Sequence, residues 1–312
     1  MRIIRDTEFV PADIRGAVAA IGNFDGVHLG HIAVIETTRK TADALQAPLG
    51  IMTFEPHPRQ VFQPNGPAFR LMNAAAKAHR LEKLKVDHLY ELPFTPALSS
   101  LSPREFAQEI IVKRLGLAHV VVGEDFFFGA KRAGKAADLQ EFGAEMGFGV
   151  TVVPLVSIGD EEASSTAIRK ALGEGRPHDA ADMLGHWHRI DGVVIQGDQR
   201  GRELGFPTAN MSIDDLHPPR FGVYAVLIDV LTGPHAGNYH GAASIGERPT
   251  FGINHPNCET YIFDFKGDLY GADISVALVE YLRPELKFDG LDALITKMHA
   301  DCDQAREILK NV

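Results

Sequence analysis

Residues 17–31 read AVAAIGNFDGVHLGH, and this stretch decides the fold of the first half of the chain. The apolar run from Ala17 to Ile21 predicts a short buried strand that ends at Gly22. The residues from His31 to Ala44 have the pattern of a helix. A glycine-containing turn between a strand and a helix suits phosphate binding, because glycines let the backbone approach and the helix start offers unpaired amides.

Two histidines lie three residues apart where this helix begins, so His28 and His31 can face one cleft. Imidazole forms hydrogen bonds with phosphate oxygens and gains charge near neutral pH. The pair suits the α-phosphate of a nucleotide better than a zinc ion, because zinc needs at least a third protein ligand. On spacing alone, a structural turn with two surface histidines fits the segment equally well.

Apolar segments and helical segments alternate through the first half of the chain. Ser102 and Glu105 have the spacing of a capping box, which predicts a helix from Arg104 to Leu115. The alternation predicts a parallel sheet with helices on its faces. The further strands predicted in this half are Leu49–Phe54, His119–Val122 and Val150–Val156.

The pattern changes after two short helical segments, Thr166–Leu172 and Ala180–Leu184. Beyond them, glycines and prolines separate strand-like runs, which predicts an antiparallel barrel. A final helix is predicted from Leu291 to Leu309 by the spacing of its apolar residues. We therefore expect two domains, 1–184 and 185–312. The strands predicted in the second domain are Gly192–Gln196, Gly222–Val230, Gly241–Ile245, Thr260–Phe265 and Ile274–Leu282.

The composition also favours two globular domains, since 312 residues exceed the roughly 250–300 at which a single core stops growing. The net charge is −10 and neither half is basic, which argues against a nucleic-acid partner. Cys258 and Cys302 are too few for a disulfide framework or a thiolate metal site. The chain shows neither a signal-peptide pattern nor the roughly 20 apolar residues of a membrane span, so we expect a soluble, cytoplasmic protein.

The segment from Gly22 to His31 resembles the H-x-G-H signature of the nucleotidylyltransferase superfamily. That superfamily has a second signature, S-S-T-x-I-R, and residues 164–169 read SSTAIR. The resemblance implies that this helix start and Arg169 meet the phosphates of ATP, where an arginine stays ionised and binds bidentately. The alternative role of a serine or threonine here is a helix cap. The implied catalytic residues are His28, His31 and Arg169, and the implied nucleotide contacts are Gly22, Asn23, Phe24, Asp25, Gly26, Gly30, Ser164, Ser165 and Thr166.

Two further segments narrow the acceptor of the nucleotidyl group: residues 53–59 read TFEPHPR and residues 123–129 read GEDFFFG. They are similar to the FMN adenylyltransferase half of the bacterial bifunctional riboflavin kinase/FAD synthetases. The resemblance implies phosphate contacts from His57 and Arg59 and a polar ligand contact from Asp125. The alternatives are a rigid turn at the two prolines and core positions for one or two of the phenylalanines at 126–128.

A second site is indicated by residues 201–210, which read GRELGFPTAN. The side-chain oxygens of Thr208 and Asn210 are hard ligands suited to Mg²⁺, which takes few protein ligands beside substrate phosphates. By itself the PTAN tetrapeptide favours a turn. The segment resembles the riboflavin kinase signature, which implies that ATP and Mg²⁺ bind at this turn, with contacts from Gly205 and Pro207.

Phosphoryl transfer to a hydroxyl also needs a group that orients or deprotonates the nucleophile. The resemblance implies that Glu259 is this base, acting on the ribityl 5′-hydroxyl. It further implies that Arg283 faces the flavin or a phosphate. The alternatives are an exposed strand carboxylate for Glu259 and a surface ion pair with Glu285 for Arg283.

The resemblance covers almost the whole chain and implies a Rossmann-like α/β nucleotidylyltransferase domain followed by an antiparallel β-barrel riboflavin kinase domain with a C-terminal helix. The barrel is expected to phosphorylate riboflavin to FMN with ATP and Mg²⁺. The α/β domain is expected to join AMP to FMN, which yields FAD and pyrophosphate. The expected partners are riboflavin, FMN, FAD and ATP, with neither nucleic acid nor membrane, and a weak homo-oligomer is left open.

Three other functions remain open from the sequence. In the first, only one half of the chain is an enzyme, and the other half is a flavin-binding or regulatory module. In the second, the whole chain carries flavin without turnover. A different acceptor, such as a pantetheine or nicotinamide phosphate, fits the H-x-G-H segment but leaves the second domain unexplained.

Overall fold

A computed structural model describes residues 1–5, 7–8, 10–155, 157–158, 161–197, 204–250 and 253–312. Val156, at the end of a predicted strand, and residues 201–203 of the GRELGFPTAN segment lie outside these ranges. Internal contacts divide the chain into two compact units, Met1–Gly66 with Lys77–Ala163, and Pro67–Ala76 with Ser164–Val312. These units group residues by their contacts and do not define where one domain ends along the chain. The domain boundary near Leu184 therefore stays a prediction.

The elements of the first unit follow the predicted alternation of strands and helices. Its strands are β1 (Arg2–Ile4), β2 (Val18–Ile21), β3 (Leu49–Glu55), β4 (His88–Pro93), β5 (His119–Gly123), β6 (Phe127–Phe128), β7 (Gly134–Lys135), β8 (Gly149–Val153), β9 (Ser157–Ile158) and β10 (Glu161–Glu162). Its α-helices are α1 (Leu29–Leu45), α2 (Pro58–Phe62), α3 (Ala74–Lys83, which begins in the second unit), α4 (Pro96–Ser99), α5 (Pro103–Glu105) and α6 (Ala136–Met146). Short 3₁₀ turns span Ala12–Ile14 and Ala130–Arg132, and a π-helix spans Phe106–Leu115.

A six-stranded sheet in the order β1-β4-β3-β2-β5-β8 forms the centre of the first unit, and every pairing in it is parallel. The residues of β2 are at most 3% exposed, as expected for a central parallel strand covered on both faces. The chain runs from β2 to β3 and β4 on one side of the sheet, whereas β5 and β8 lie on the other side of β2. Ligands of such sheets bind beyond the carboxyl ends of the strands at this reversal of order. The Rossmann-like prediction is confirmed.

The predicted capping box is confirmed at the start of α5. The Glu105 amide donates to Ser102 Oγ at 3.3 Å, and the Ser102 amide donates to Glu105 Oε2 at 2.8 Å. The sequence pattern does not predict β1, β4 or α3. In β4, Glu91 interrupts the apolar run, although its side chain is buried and ion-paired with Arg5.

The second unit contains an antiparallel six-stranded sheet in the order β11-β16-β13-β14-β15-β12. Its strands are β11 (Arg189–Val193), β12 (Thr208–Ser212), β13 (Gly222–Val230), β14 (Gly237–Thr250), β15 (Ile253–Ile262) and β16 (Asp273–Arg283). The outer strands approach each other beyond β11, where the Ile195 amide donates to the Asn210 carbonyl at 2.8 Å. This bridge brings the sheet close to a closed barrel, as predicted.

Helices α7 (Ser165–Gly173), α8 (Pro177–Leu184) and α9 (Leu291–Leu309) complete the second unit, and α9 has the predicted bounds. Ala305 and Leu309 of α9 pack with Ala225, Phe263 and Val279 against one face of the sheet. None of the helices within the described ranges is long and apolar enough to cross a membrane.

Two strand predictions for the second unit need correction. The strand predicted from Gly192 to Gln196 begins at Arg189 and ends at Val193, and the strand predicted from Thr260 to Phe265 is Ile253–Ile262. The PTAN tetrapeptide, expected to be a turn, begins β12 at Thr208. Pairing with β15 decides the conformation of this segment, and local turn propensity does not.

Candidate functional site: two nucleotide sites

The loop between β2 and α1 contains backbone conformations that side chains rarely adopt. Phe24 and Val27 have φ of 51° and 47°, and Gly26 has φ of 89°. A left-handed conformation is strained for a β-branched residue such as Val27 and persists only where the surroundings impose it. Phe24 and Val27 are at most 1% exposed, so burial of their side chains supplies part of that constraint.

The histidines of this loop lie against each other at the start of α1. His28 is the N-cap, and its Nδ1 accepts from the His31 amide at 3.4 Å. The two rings stack with centroids 3.7 Å apart. A Cβ at Gly30 would lie 3.0 Å from the His28 ring, so glycine at this position makes room for it. The structure thus brings the two histidines together, and their action on a phosphate stays a prediction.

Burial lowers the pKa of His31 well below its usual value, and the charges of His28 and Lys77 lower it further. The imidazole is therefore neutral at pH 7 without a ligand. Its Nδ1 is buried and has no hydrogen-bond partner among the residues that the structure describes. An anionic phosphate in this site would favour the protonated ring and supply the missing acceptor.

The TFEPHPR loop follows β3 at the same carboxyl edge of the sheet. His57 is the N-cap of α2, and its Nδ1 accepts from the Arg59 amide at 3.1 Å. The Arg59 side chain is exposed, and its Nε donates to Gln63 at 3.3 Å. The loop therefore presents a cation at the edge where the expected ligand phosphates bind.

The GEDFFFG segment follows β5, on the other side of the strand-order reversal. Asp125 is exposed just beyond the strand end. Phe128 is buried in the core and Phe126 packs against it, whereas Phe127 is 43% exposed with the Arg132 guanidinium 5.0 Å from its ring centroid. The prediction that one or two of these phenylalanines belong to the core is therefore confirmed by Phe128 and Phe126.

The second signature begins α7. Ser164 is the N-cap, and its Oγ accepts from the Ala167 amide at 3.2 Å. The Arg169 guanidinium lies 5.4 Å from the centroid of the Phe69 ring, and its Nε donates to the Phe69 carbonyl at 2.5 Å. These residues belong to the second contact unit and His28 to the first, so their joint action on one phosphate stays a prediction.

The predicted residues of the second site meet through strand pairing. In the register of β12 and β15, Asn210 lies directly opposite Glu259, although 48 residues separate them in the chain. The Asn210 amide nitrogen donates to the carbonyl and hydroxyl oxygens of Thr208 at 3.1 and 3.3 Å. The paired strands thus gather a hydroxyl, an amide and a carboxylate on one face.

Asn257 joins this group and was missed by the sequence reading. Its Nδ2 donates to Asn210 Oδ1 at 3.2 Å and to Glu259 Oε1 at 3.3 Å. The residue is 6% exposed, so these bonds are shielded from water. It lies two residues before Glu259 and on the same face of β15, an alternation that could have identified it.

A pocket of about 270 Å³ adjoins the start of β12. The turn at Leu204–Gly205 precedes it, with φ of 85° at Gly205. Phe206 is buried against the rings of Tyr261 and His299, which anchors the turn to the sheet. The residues that line the pocket include Pro207, Thr208, Ile262, Phe265, Lys266, Asp268, Leu269 and Tyr270.

Comparison with known proteins identifies the family of each half of the chain. Residues 10–167 match the model of the FAD synthetase family, and residues 184–309 match that of the riboflavin kinase family. The bifunctional riboflavin kinase/FMN adenylyltransferase of Pseudomonas fluorescens is 38% identical over 309 residues, which cover 99% of this chain and 98% of that protein. The protein of the same name from Listeria monocytogenes is 38% identical over 292 residues, with coverage of 93% and 91%.

The chain belongs to the family of bifunctional riboflavin kinase/FMN adenylyltransferases. The FAD synthetase domain comes first and the riboflavin kinase domain second, so this bifunctional enzyme phosphorylates riboflavin and adenylylates FMN. Among solved structures, a crystal structure described as a macrolide-efflux protein from Streptococcus pneumoniae is similar over 98% of both chains, with a TM-score of 0.84 and 30% identity.

Arg283 of the riboflavin kinase domain is held within its own domain. Its Nε and Nη2 lie 2.8 and 2.7 Å from Asp301 Oδ2, and its Nη1 donates to the Pro284 carbonyl at 2.9 Å. The alternative prediction named Glu285 as the ion-pair partner of Arg283, and this is wrong, because the partner is Asp301 of α9. A flavin or phosphate contact by Arg283 stays a prediction.

Aromatic side chains missed by the sequence reading cluster in the FAD synthetase domain. Phe94 follows β4, and its ring lies edge-on to Phe54 and Phe62, with centroid distances of 5.7 and 5.6 Å. Phe62 is 67% exposed at the end of α2. An exposed ring beside the His57 loop offers a surface on which a planar ligand can stack.

Proposed function

We propose that residues 22–31 and the loops after β3 and β5 form the FMN adenylyltransferase site. In this reaction an oxygen of the FMN phosphate attacks the α-phosphorus of ATP, and pyrophosphate leaves. His28, His31 and Arg169 offset the charge that develops on the α-phosphate, so the site acts by positioning and electrostatics. These residues require no covalent intermediate with the enzyme.

The contacts that the first unit contributes are those at the carboxyl edge of its parallel sheet. Exposed Phe62 and partly buried Phe94 supply a stacking surface for the flavin ring. His57, Arg59 and Asp125 supply polar contacts. The helix start at Ser164, Ser165 and Thr166 binds the ATP phosphates. The strand-order reversal at β2 and β5 supports this assignment, since it is where such sheets bind nucleotides.

The riboflavin kinase site is assigned to the face shared by β12 and β15. Glu259 accepts the proton of the ribityl 5′-hydroxyl as the oxygen attacks the γ-phosphorus of ATP, and ADP leaves. Thr208, Asn210, Gly205 and Pro207 bind ATP. The observation that carries this assignment is the register that sets Asn210 opposite Glu259.

Mg²⁺ is proposed as the metal of the kinase reaction. Within the described ranges, no group of three or more His, Cys, Asp or Glu side chains has the arrangement of a metal site. The oxygens of Thr208 and Asn210 fit Mg²⁺, which is held by one or two protein groups together with substrate phosphates. When bound, the ion neutralises charge on the phosphates of ATP.

Two separable activities test these assignments. His28→Ala should abolish formation of FAD from FMN and leave formation of FMN from riboflavin intact. Glu259→Gln should do the reverse when FMN is supplied. Products of the full-length protein with ATP and MgCl₂ are resolved by chromatography. Loss of both activities in either folded variant would show that the two sites are not separate, and a wild-type chain with one activity would leave the other half a binding module.

The remaining features of the proposal concern the setting of the enzyme. We place the domain boundary near Leu184 and the enzyme in the cytoplasm, where ATP is available. We also propose that the enzyme forms a weak homo-oligomer and binds no nucleic acid. The net charge of −10 supports the second statement. Sedimentation of the purified chain with and without FMN and ATP tests the oligomer.

A further inference from the structure

Lys77 is a buried cation in the first unit with no place in the reaction as described above. Its side chain is only 2% exposed, although burial of an ammonium group costs several kcal/mol. Its Nζ lies 3.0 Å from Glu55 Oε1 and 3.1 Å from Thr53 Oγ1. The ion pair and the hydrogen bond offset the cost of burial, and they join α3 to the end of β3.

Thr53 passes this contact on to the nucleotide loop. Lysine only donates hydrogen bonds, so the Thr53 oxygen must accept from Nζ and its own proton is left to donate elsewhere. That proton points to the Asn23 carbonyl, at 3.2 Å from Thr53 Oγ1. The acceptor lies directly before Phe24, the first residue of the loop with a left-handed backbone. The three groups therefore form a brace beneath the strained turn.

We propose that Lys77 is a positioning residue for adenylyl transfer, which holds the loop from Gly22 to His28 in its nucleotide-binding conformation through Thr53. The inference rests on the proposed assignment of this loop to the FMN adenylyltransferase site. A strained conformation needs surroundings that impose it, and the brace is one polar part of those surroundings.

The charge of Lys77 supports the same role. It lowers the pKa of His31, after the larger effect of burial and together with the charge of His28. This effect shows that the charge of Lys77 reaches the His31 ring, where an anionic phosphate is expected to bind. Glu55 offsets part of this charge, and the remainder favours the binding of an anion at His31.

The test compares Lys77→Met with Lys83→Met, which removes an exposed lysine from the same helix. Formation of FAD from FMN and formation of FMN from riboflavin are measured in each full-length protein. Lys77→Met should lower kcat for FAD formation by about 10- to 100-fold, the range expected when a reacting group is displaced by about 1 Å. FMN formation should be unchanged, and Lys83→Met should match the wild type in both reactions.

Two more variants separate positioning from mere stability. Lys77→Met combined with Glu55→Gln removes both charges of the ion pair, so neither charge is left buried without its partner. The decrease in thermal midpoint caused by Lys77→Met alone should therefore be largely reversed in the double variant. FAD formation should remain low, because Thr53 still lacks the Lys77 contact that holds it against Asn23. Thr53→Val breaks the brace while Lys77 stays, and it should lower kcat for FAD formation in the same range.

The titration midpoint of His31, measured by NMR with labelled histidine, is a further test. It would not change if Lys77 only stabilised the fold. Its midpoint should rise in Lys77→Met and stay unchanged in Lys83→Met. The proposal is overturned if Lys77→Met keeps wild-type FAD formation, or if the double variant recovers rate together with stability. If both Lys77→Met and His28→Ala keep wild-type FAD formation, the assignment of this loop to the FMN adenylyltransferase site fails. If His28→Ala loses FAD formation and Lys77→Met keeps it, only the role of Lys77 is refuted.

Discussion

Removal of the Asn257 side chain from the riboflavin kinase site yields a quantitative prediction. The Asn257 amide is the shared donor to Asn210 Oδ1 and Glu259 Oε1, at 3.2 and 3.3 Å. Asn257→Leu keeps much of the volume and removes both bonds. A hydrogen bond to a charged group contributes about 1.5–3 kcal/mol. If that bond holds the base in its reactive orientation, its loss lowers kcat by about 10- to 150-fold, since each 1.36 kcal/mol is a factor of ten.

The assay for Asn257→Leu uses both reactions of one protein. Formation of FMN from riboflavin reports the altered site, and formation of FAD from supplied FMN reports the intact one. The control is Asn238→Leu, because the Asn238 amide binds Asp229 in the same sheet and does not line the pocket. We expect kcat to fall and the KM for riboflavin to change little, since the bond orients the base and does not touch the flavin.

A second substitution at this position tests the electrostatic part of the argument. Asn257→Asp places a second carboxylate within hydrogen-bond reach of Glu259, and two such groups resist joint ionisation. The acid limb of the kinase pH profile should therefore move to higher pH in this variant. A kcat within threefold of wild type in Asn257→Leu, or an equal fall in FAD formation, would refute the orienting role of Asn257.

Three further predictions follow from single positions. Gly30→Ala sets a Cβ 3.0 Å from the His28 ring, so FAD formation should fall while FMN formation persists, and a normal FAD rate would contradict the stacked geometry. Burial and neighbouring imidazoles lower the pKa of His188 to about 3. An unfolded histidine titrates near 6.5, so between pH 6.5 and about 3 the unfolded chain binds a proton that the folded chain does not. The free energy of unfolding therefore decreases as the pH is lowered through this range, by up to about 1.4 kcal/mol per pH unit. His188→Leu should flatten that slope in denaturation measured from pH 7 to 4. Arg283→Gln leaves Asp301 with one cationic partner fewer and should lower the free energy of unfolding by about 3 kcal/mol. A raised KM for riboflavin without loss of stability would instead favour a flavin contact.

Contacts between distant segments explain what the sequence could not predict. Thr208, Asn210 and Glu259 are chemically suggestive one by one, but only the register of β12 and β15 brings them to one face. Pairing between strands also turned an expected PTAN turn into a strand. Lys77 lies on a helix that the pattern does not predict, so its approach to Thr53 was invisible in the chain.

The sequence alone determined the features that depend on neighbouring residues. A strand, a glycine turn and a helix cap are local, because dihedral preferences and capping bonds act within a few residues, so the histidine pair and the capping box were predictable. The alternation of segments likewise determined the parallel sheet and the near-barrel. Only the tertiary structure decided which side chains share an environment. Examples are the neutral state of His31, the ion pair of Arg283 with Asp301 and the brace from Lys77 through Thr53 to Asn23. Burial and strand register are properties of the packed chain, and no short-range pattern encodes them.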